Sequence, residues 1–512
     1  LINLGTYQIQ SGDITKGLAL IEKALAIAPN NISALNTQAN ALKALKRYQE
    51  ALASYDLAIE AQPNFANAWA NRGNVLRELA RPDAALQSYN QALALKPDAV
   101  NFLNSRALLY RDLQRFDDAL LDFKNALRLQ PTSASTHFNL ANFYVAIDAS
   151  SMALLHFNHA IEINPQYAAA YNNRSNLFKS MNHVDLALQD TRRAIEIEPD
   201  YVEAHWNQSL LYLLKGDYVK GWDAYEWRWR RSDRGFHERY QKLKRWTEVK
   251  DIAGKNIVLH SEQGFGDTIQ FCRYAPIIAE LGANVYLDVP PPLRTLLKSL
   301  STKVHILGVQ DKTLKVDLHS PFMSMPWIFK HSLQDIPAPS AYLFATNNDV
   351  ANWSQKLGVK QRKRVGLAWA GNPNHTNDKR RSIALSKLKL IFALDYEFHS
   401  LQKDMPDADQ AFFADFANIY CWQQDLKSFA DTAALISNMD LVICIDSAVA
   451  HLAGALGCPT WLLLPYAPDF RWMLDRDDSP WYPSMRIWRQ AQLDDWDGVV
   501  QRLVNQLMSP TS

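Results

Sequence analysis

The sequence predicts two architectures in one chain: an α-helical solenoid over roughly the first two hundred residues, then a two-lobed α/β half built on parallel sheets. Three observations carry this prediction. Prolines recur at a fixed period through the first part. From Asn256 the pattern changes to strand, glycine loop and helix. The composition shifts as well, since all tryptophans but Trp69 and all four cysteines (Cys272, Cys421, Cys444, Cys458) lie after residue 200. A chain of 512 residues is too long for one ordinary core, and at about 100–200 residues per domain it suggests about three folding units.

The period is 34 residues, marked by Pro29, Pro63, Pro97, Pro131, Pro165 and Pro199. Each proline closes a helical phrase such as AIEAQP or ALRLQP, because it can neither donate a helix hydrogen bond nor leave its predecessor helical. Small residues recur twelve positions earlier (Gly17, Ala51, Ala85, Ala119, Ala153, Ala187) and five earlier (Ala24, Ala58, Ala92, Ala126, Ala160, Ala194). They let helices approach closely. Eight positions earlier stand Ile21, Tyr55, Tyr89, Phe123, Phe157 and Thr191, mostly aromatics that fill the space between neighbouring helices. A seventh, partial unit keeps a Gly-Asp-Tyr turn and then departs into Trp222, Trp227 and Trp229. It reads as a cap that docks on the α/β half, since terminal repeats must seal the stack.

The second half alternates. NIVLH (256–260) precedes a glycine loop and a helix, and further strands are expected at 284–289, 303–307 and in VDLHSPF, making a lobe from about 250 to 340. A connector with Pro337 and Pro339 leads to a second series of strands at 364–371, 397–402, 418–422, 441–446, 460–465 and 485–488. The expected domains are 1–235, 236–340 and 341–512. In open α/β sheets ligands sit at the carboxyl ends of the strands, so the cleft between the lobes is where chemistry is expected.

Composition excludes several classes of function. Lys+Arg 54 against Asp+Glu 53 leaves a formal charge of +1, without the basic excess of a sequence-blind nucleic-acid binder. No stretch of about 18 apolar residues exists to make a transmembrane segment. The cysteines show neither disulfide nor zinc spacing, so the expected setting is reducing and cytoplasmic. The opening LINLGTYQIQ lacks Met and a signal-like pattern, and reads as a fragment.

Four constellations carry candidate chemistry. On the first helices of the repeats, eight and eleven residues after each proline, stand Asn71, Asn74, Asn139, Asn142, Asn173, Asn176 and Asn207. Residues three apart share a helix face, and an asparagine ladder can clamp the backbone of an extended peptide through its donor and acceptor. The alternative is that these side chains satisfy polar groups between helices. After the first strand comes Ser261-Glu262-Gln263-Gly264-Phe265-Gly266-Asp267, whose glycines allow close backbone approach to a ligand. Its spacing fails the dinucleotide fingerprint, because the third glycine position is Ile269. Asp267 is either a catalytic group or a cap of the following helix. The third constellation is Asp446-Ser447-Ala448-Val449-Ala450-His451, a strand end followed by a helix start suited to an anion such as a pyrophosphate, or else a capped helix with a satisfied histidine. The fourth is Gly371-Asn372-Pro373-Asn374-His375-Thr376-Asn377-Asp378-Lys379-Arg380-Arg381-Ser382, which sets three cations beside the candidate anion site or on a solvated face. Trp369, Tyr466, Phe470 and Trp472 near strand ends are candidates to stack on a base or sugar, with core packing as the alternative.

The 34-residue pattern resembles the tetratricopeptide repeat over about residues 1–235. Residues 250–508 resemble the heptosyltransferase-like glycosyltransferases of family nine, which have the two-lobed GT-B fold. That resemblance implies Asp267 as catalytic base. It implies Gly264, Gly266, Asp446, Ser447, Ala448 and His451 around the donor pyrophosphate, with Lys379 or Arg381 on phosphate. The order of domains is similar to that of protein O-linked N-acetylglucosamine transferases. The implied function is inverting transfer from a nucleotide sugar to a hydroxyl, with the acceptor a protein or peptide held by the repeats. The donor is a co-substrate, and neither a cofactor nor a metal is expected: the DxD-like Asp475-Arg476-Asp477 is one match in a chain with 53 acidic residues. Two alternatives remain at this level. One moves the acceptor to a saccharide or lipid-linked sugar and leaves the repeats to assemble a complex. The other is a non-catalytic scaffold with a degenerate transferase half.

Overall fold

The computed structural model describes residues 1–231, 240–308, 314–374, 377–405, 407–413 and 415–509. The chain divides into two compact units, Leu1–Leu177 and Phe178–Ser512. The expected domain boundary at 235 lies outside the described residues.

The first unit is a run of antiparallel helix pairs: Ile2–Gln10 with Ile14–Ile27, Ile32–Ala44 with Tyr48–Ala61, Ala66–Glu78 with Pro82–Leu95, Val100–Asp112 with Phe116–Leu129, and Ala134–Ala146 with Ser150–Ile163. The periodic residues do the packing: Ala51, Tyr55, Ala58, Ala85, Tyr89, Ala92, Ala119, Phe123, Ala126, Ala153, Phe157 and Ala160 are all fully buried. Each turn within a pair passes through the left-handed region, at Gly12 and then Lys46, Ala80, Gln114 and Asp148. The residue after each of these non-glycine turns donates back to a carbonyl five positions earlier, as Arg47 N does to Leu42 O at 2.9 Å and Arg115 N to Tyr110 O at 2.8 Å. These bonds close the helix ends and hold side-chain-bearing residues in a conformation that glycine would take more cheaply.

The second unit begins with the last repeat helices, Val184–Ile197, Val202–Leu214 and Tyr218–Tyr225, followed by a 3-10 turn Glu226–Arg230. They belong to this unit because their aromatic cap is packed into it. Trp222 meets Phe271 and Phe470 edge-on, each with ring centroids 5.8 Å apart.

Two parallel sheets follow. The first contains β1 (Asn256–His260), β2 (Asn284–Asp288), β3 (Val304–Ile306) and β4 (Leu318–Pro321) in the order β3-β2-β1-β4. The second contains β5 (Arg364–Ala368), β6 (Glu397–Ser400), β7 (Ile419–Tyr420), β8 (Leu441–Ile445), β9 (Thr460–Leu464) and β10 (Met485–Arg489) in the order β10-β9-β8-β5-β6-β7. The α/β reading of the sequence and its strands are thus found in the structure. In the second sheet the strand order reverses between β5 and β8, which are neighbours in parallel register with Val365 opposite Leu441. Such a reversal opens a crevice at the carboxyl ends of the two strands. Both faces are covered, since β5 is buried along its whole length and β8 from its second residue on; on one face Val365, Leu367, Ile443, Ile445 and Leu463 sit in one core with Val499, Val500 and Leu503 of the helix Trp496–Met508. No helix among the described residues is long and apolar enough to cross a membrane.

Candidate functional site

A cleft of about 1380 Å³ opens at the carboxyl ends of β1, β5, β6 and β8. It is lined by the loops that follow those strands, so the separate sequence motifs of the second half meet around one space. Gly264, Gly266, Asp267, Arg381, Asp446, Ser447, Ala448 and His451 all line it. Lys379 does not; it is exposed and absent from the described lining residues. His375 and Thr376 of the same loop lie outside the described residues.

The helix Ala448–Ala455 starts on the cleft wall with Ser447 as its N-cap in extended conformation. The first amides of a helix have no partner within it and carry its positive end. Ser447 Oγ makes no cap bond, and it is buried without a hydrogen-bond partner among the described residues. A buried hydroxyl left unsatisfied at a helix start is suited to donating to an anion. Beside it Arg381 Nη1 donates to the Asp446 carbonyl at 3.1 Å and Nε to Asp378 Oδ1 at 3.2 Å. Gly371 makes room for this arginine, since a Cβ there would lie 2.5 Å from Arg381 Nη2. The Asp446 carboxyl is raised above the usual carboxylate range by burial first and then by the neighbouring Asp469.

Asp267 sits in the first turn of the helix Phe265–Phe271. Oδ2 accepts from the Gly264 amide at 2.7 Å, which caps the helix, while Oδ1 is paired with Arg471 Nη2. The carboxylate is therefore both a cap and part of the cleft wall, with its side chain 19 % exposed. Arg471 is the centre of this corner: Nε donates to Gln270 Oε1 at 2.7 Å and Nη1 to Asp469 Oδ1 at 2.8 Å. Both arginine and Asp469 line the cleft.

His451 is a packed residue. Its Nδ1 lies 2.9 Å from the Tyr482 hydroxyl, and its ring is stacked on Trp472 with centroids 5.4 Å apart. Burial, reinforced by Arg471, pushes its pKa down to about 3, so the ring is neutral at physiological pH. Its edge faces Gly266, where an added Cβ would come within 2.6 Å of His451 Cδ2. Gly266→Ala is therefore expected to cost about 1–3 kcal/mol by overpacking, measurable as a lower denaturant midpoint with unchanged m. A midpoint equal to wild type would mean that the ring moves freely.

Three of the four candidate stacking aromatics are core, and the fourth, Tyr466, is half-buried and not among the described lining residues. Trp369 and Trp472 are almost fully buried and Phe470 is 4 % exposed; Trp369 Nε1 donates to Asp409 at 2.9 Å. Asp475 and Asp477 are not among the described lining residues. Among the described residues no group of three or more His, Cys, Asp or Glu is arranged to hold a metal ion.

On the repeats, the asparagines largely bond to protein. Asn71 Nδ2 donates to Asn40 Oδ1 at 3.4 Å, Asn139 Nδ2 to Asn104 Oδ1 at 3.4 Å, and Asn173 Nδ2 to Asn142 Oδ1 at 2.9 Å. Asn74 Oδ1 accepts from the Tyr89 hydroxyl at 2.8 Å, and Asn142 Nδ2 donates to the Phe138 carbonyl at 3.0 Å. Asn176 is exposed and Asn207 half-buried. Asn71, Asn139 and Asn173 thus each bond an asparagine of the preceding repeat.

Sequence reasoning missed Arg471, Asp469 and Lys427 and gave Glu262 of the glycine loop no role of its own, though all four line the cleft. A signal existed for Arg471: a cation between two aromatics in Phe470-Arg471-Trp472 is unusual unless it has a buried partner.

Models of known families match parts of the chain. Tetratricopeptide repeat models match residues 2–64, 66–99 and 168–201, and a TPR repeat model matches 107–147. The glycosyltransferase family 9 (heptosyltransferase) model matches residues 427–474, a segment that includes Asp446 to His451 and Arg471. Protein FlbA of Caulobacter vibrioides is 26% identical over 326 residues, which are 58% of this chain and 53% of FlbA. The chain thus spans about half the length of that curated relative. Among solved structures, a tetratricopeptide repeat protein from Parabacteroides merdae is 22% identical with a TM-score of 0.37, over 44% of this chain and 90% of the other. MamA is 26% identical with a TM-score of 0.28, over 31% and 92%. The chain thus matches tetratricopeptide repeat models in its first part and a glycosyltransferase family 9 model over residues 427–474.

Proposed function

We propose that this protein is a glycosyltransferase that moves a sugar from a nucleotide-sugar donor to a hydroxyl of a protein or peptide held by the repeats, with inversion and without a metal. The observation that carries the reading is the buried, unsatisfied Ser447 hydroxyl at the helix start where the strand order reverses, beside the Arg381 guanidinium. As the bond between the anomeric carbon and the phosphate oxygen breaks, negative charge grows on the diphosphate. Fixed amides, a hydroxyl and an arginine stabilise that charge in place, which removes the need for a divalent cation. Asp267 takes the proton of the acceptor hydroxyl as its oxygen bonds the anomeric carbon from the opposite face. A single displacement of this kind inverts the configuration. The neutral His451 contributes packing, and through Gly266 it fixes how the two cleft walls meet.

The test is calorimetric titration of UDP, GDP and ADP, followed by hydrolysis of the nucleotide sugar of whichever diphosphate binds. Arg381→Ala is expected to weaken the bound diphosphate by about tenfold or more, the loss of one charge-assisted contact, while Lys379→Ala stays within about twofold of wild type. Equal affinity of the Arg381 variant would remove that residue from the donor site. Absence of binding and hydrolysis with every donor, in a folded protein, would favour the scaffold reading. For the acceptor, the chain is expected to retain unstructured peptides and to lose them when Asn139, Asn173 and Asn207 are replaced together. Unchanged retention would shift the acceptor to a saccharide.

A further inference from the structure

The loop that bears Asp267 is also gripped by the repeat cap, at two residues that themselves line the cleft, Glu262 and Gln263. Glu262, five residues before Asp267, is almost fully buried, and it pairs with Arg228 of the 3-10 turn that ends the repeat cap. Arg228 Nε lies 3.0 Å from Glu262 Oε1 and Nη2 lies 3.2 Å from Oε2. Arg228 has no exposed surface; its remaining donors reach Glu226 Oε1 at 2.5 Å and Ser324 Oγ at 2.7 Å. Glu226 is in turn paired with Arg245, so two cations and two carboxylates form one neutral group. A second handle lies one residue further along the loop, where Gln263 Nε2 donates to the hydroxyl of the fully buried Tyr225 at 2.8 Å.

We infer that Arg228, acting through Glu262, is a positioning residue for Asp267, so that the cap of the repeats is a working part of the transferase site. The inference rests on the proposed role of Asp267. Arg228 is absent from the described residues that line the cleft, so it reaches the chemistry only by fixing the loop. A buried ion network of this size is weak as a source of stability. What it does supply is direction: the guanidinium fork admits one orientation of the Glu262 carboxylate, and the carboxylate fixes the start of the glycine loop. Gly264 and Gly266 contribute no side chain to hold that segment. A carboxylate that must meet an acceptor hydroxyl cannot be misplaced without loss, and an error of about 1 Å costs on the order of 100-fold in rate.

The test uses the full chain with Arg228→Met and Glu262→Met together. The pair is removed as a neutral unit and Glu226 keeps Arg245, so the double variant is expected to melt at or above the wild-type temperature. Hydrolysis of the best-bound nucleotide sugar should fall by about tenfold or more in kcat, with KM and calorimetric affinity for the corresponding diphosphate within about twofold. Amide exchange across 261–268 should accelerate, while that of β8 and the helix Ala448–Ala455 should not. Wild-type kcat in the double variant, with Asp267→Ala inactive in the same assay, would overturn the positioning role and leave the catalytic reading standing. Wild-type activity in Asp267→Ala would overturn both. A fall in melting temperature that accounts for the lost activity would reduce Arg228 to a structural residue, and would likewise overturn the inference.

Discussion

Asp267→Ala is expected to lower turnover of the nucleotide sugar by at least about 100-fold while affinity for the diphosphate persists. The carboxylate also caps the helix Phe265–Phe271 through the Gly264 amide, so alanine should in addition cost about 1 kcal/mol of stability. Asp267→Asn separates the two effects. Its amide oxygen still accepts from Gly264, so the cap survives, but its amide nitrogen cannot accept from Arg471 and the side chain cannot take a proton at neutral pH. Turnover lost to the same extent as in alanine, with the cap kept, identifies proton transfer as the missing step. Turnover retained in the asparagine variant would leave Asp267 as a cap only.

Arg471→Met should have the largest effect on stability. One buried guanidinium serves Asp267, Asp469 and Gln270. Its removal leaves two carboxylates facing a shared gap and a glutamine oxygen without its donor. Breaking a buried pair by deleting one partner costs about 3–5 kcal/mol, and the partial exposure of Asp267 (19 %) and Asp469 (37 %) places the expected loss near the lower end. Calorimetry should show a melting temperature several degrees lower. Arg471→Met with Asp469→Asn should recover part of the loss, since one of the two stranded charges is gone. A melting temperature unchanged in Arg471→Met would mean that solvent compensates both carboxylates. Arg471→Lys tests geometry separately: it keeps the charge but cannot serve three acceptors in fixed directions.

Particular residues show why some of this was legible in the sequence and some was not. Helix pairing in the repeats is written as a period of 34, because each unit solves the same packing problem with a small residue or a ring in the same place; Ala85, Tyr89 and Ala92 are fully buried as their spacing requires. Strands of the second half were legible as short apolar runs between turns, since a parallel sheet covered on both faces leaves no room for polar alternation. The left-handed turns were not legible, because Lys46, Ala80, Gln114 and Asp148 share only a place in the repeat and no chemistry. Nor was the choice between Lys379 and Arg381, nearby cations whose difference is which one turns toward the space left by Gly371. The asparagine spacing was legible too, yet the bonds from Asn173 to Asn142 and from Asn74 to Tyr89 depend on how neighbouring helices stack.

By itself the sequence determined the repeat and its phase, the alternation of strand and helix, and three of the loops that line the cleft, because each is local and a local pattern is fixed by helix and strand periodicity. Tertiary structure alone decided that Arg471 reaches back 204 residues to Asp267, that Gly266 meets the edge of His451, and that Arg228 holds Glu262 from the repeat cap. Pairings between distant residues depend on which strand ends the fold brings side by side, and no spacing along the chain records that.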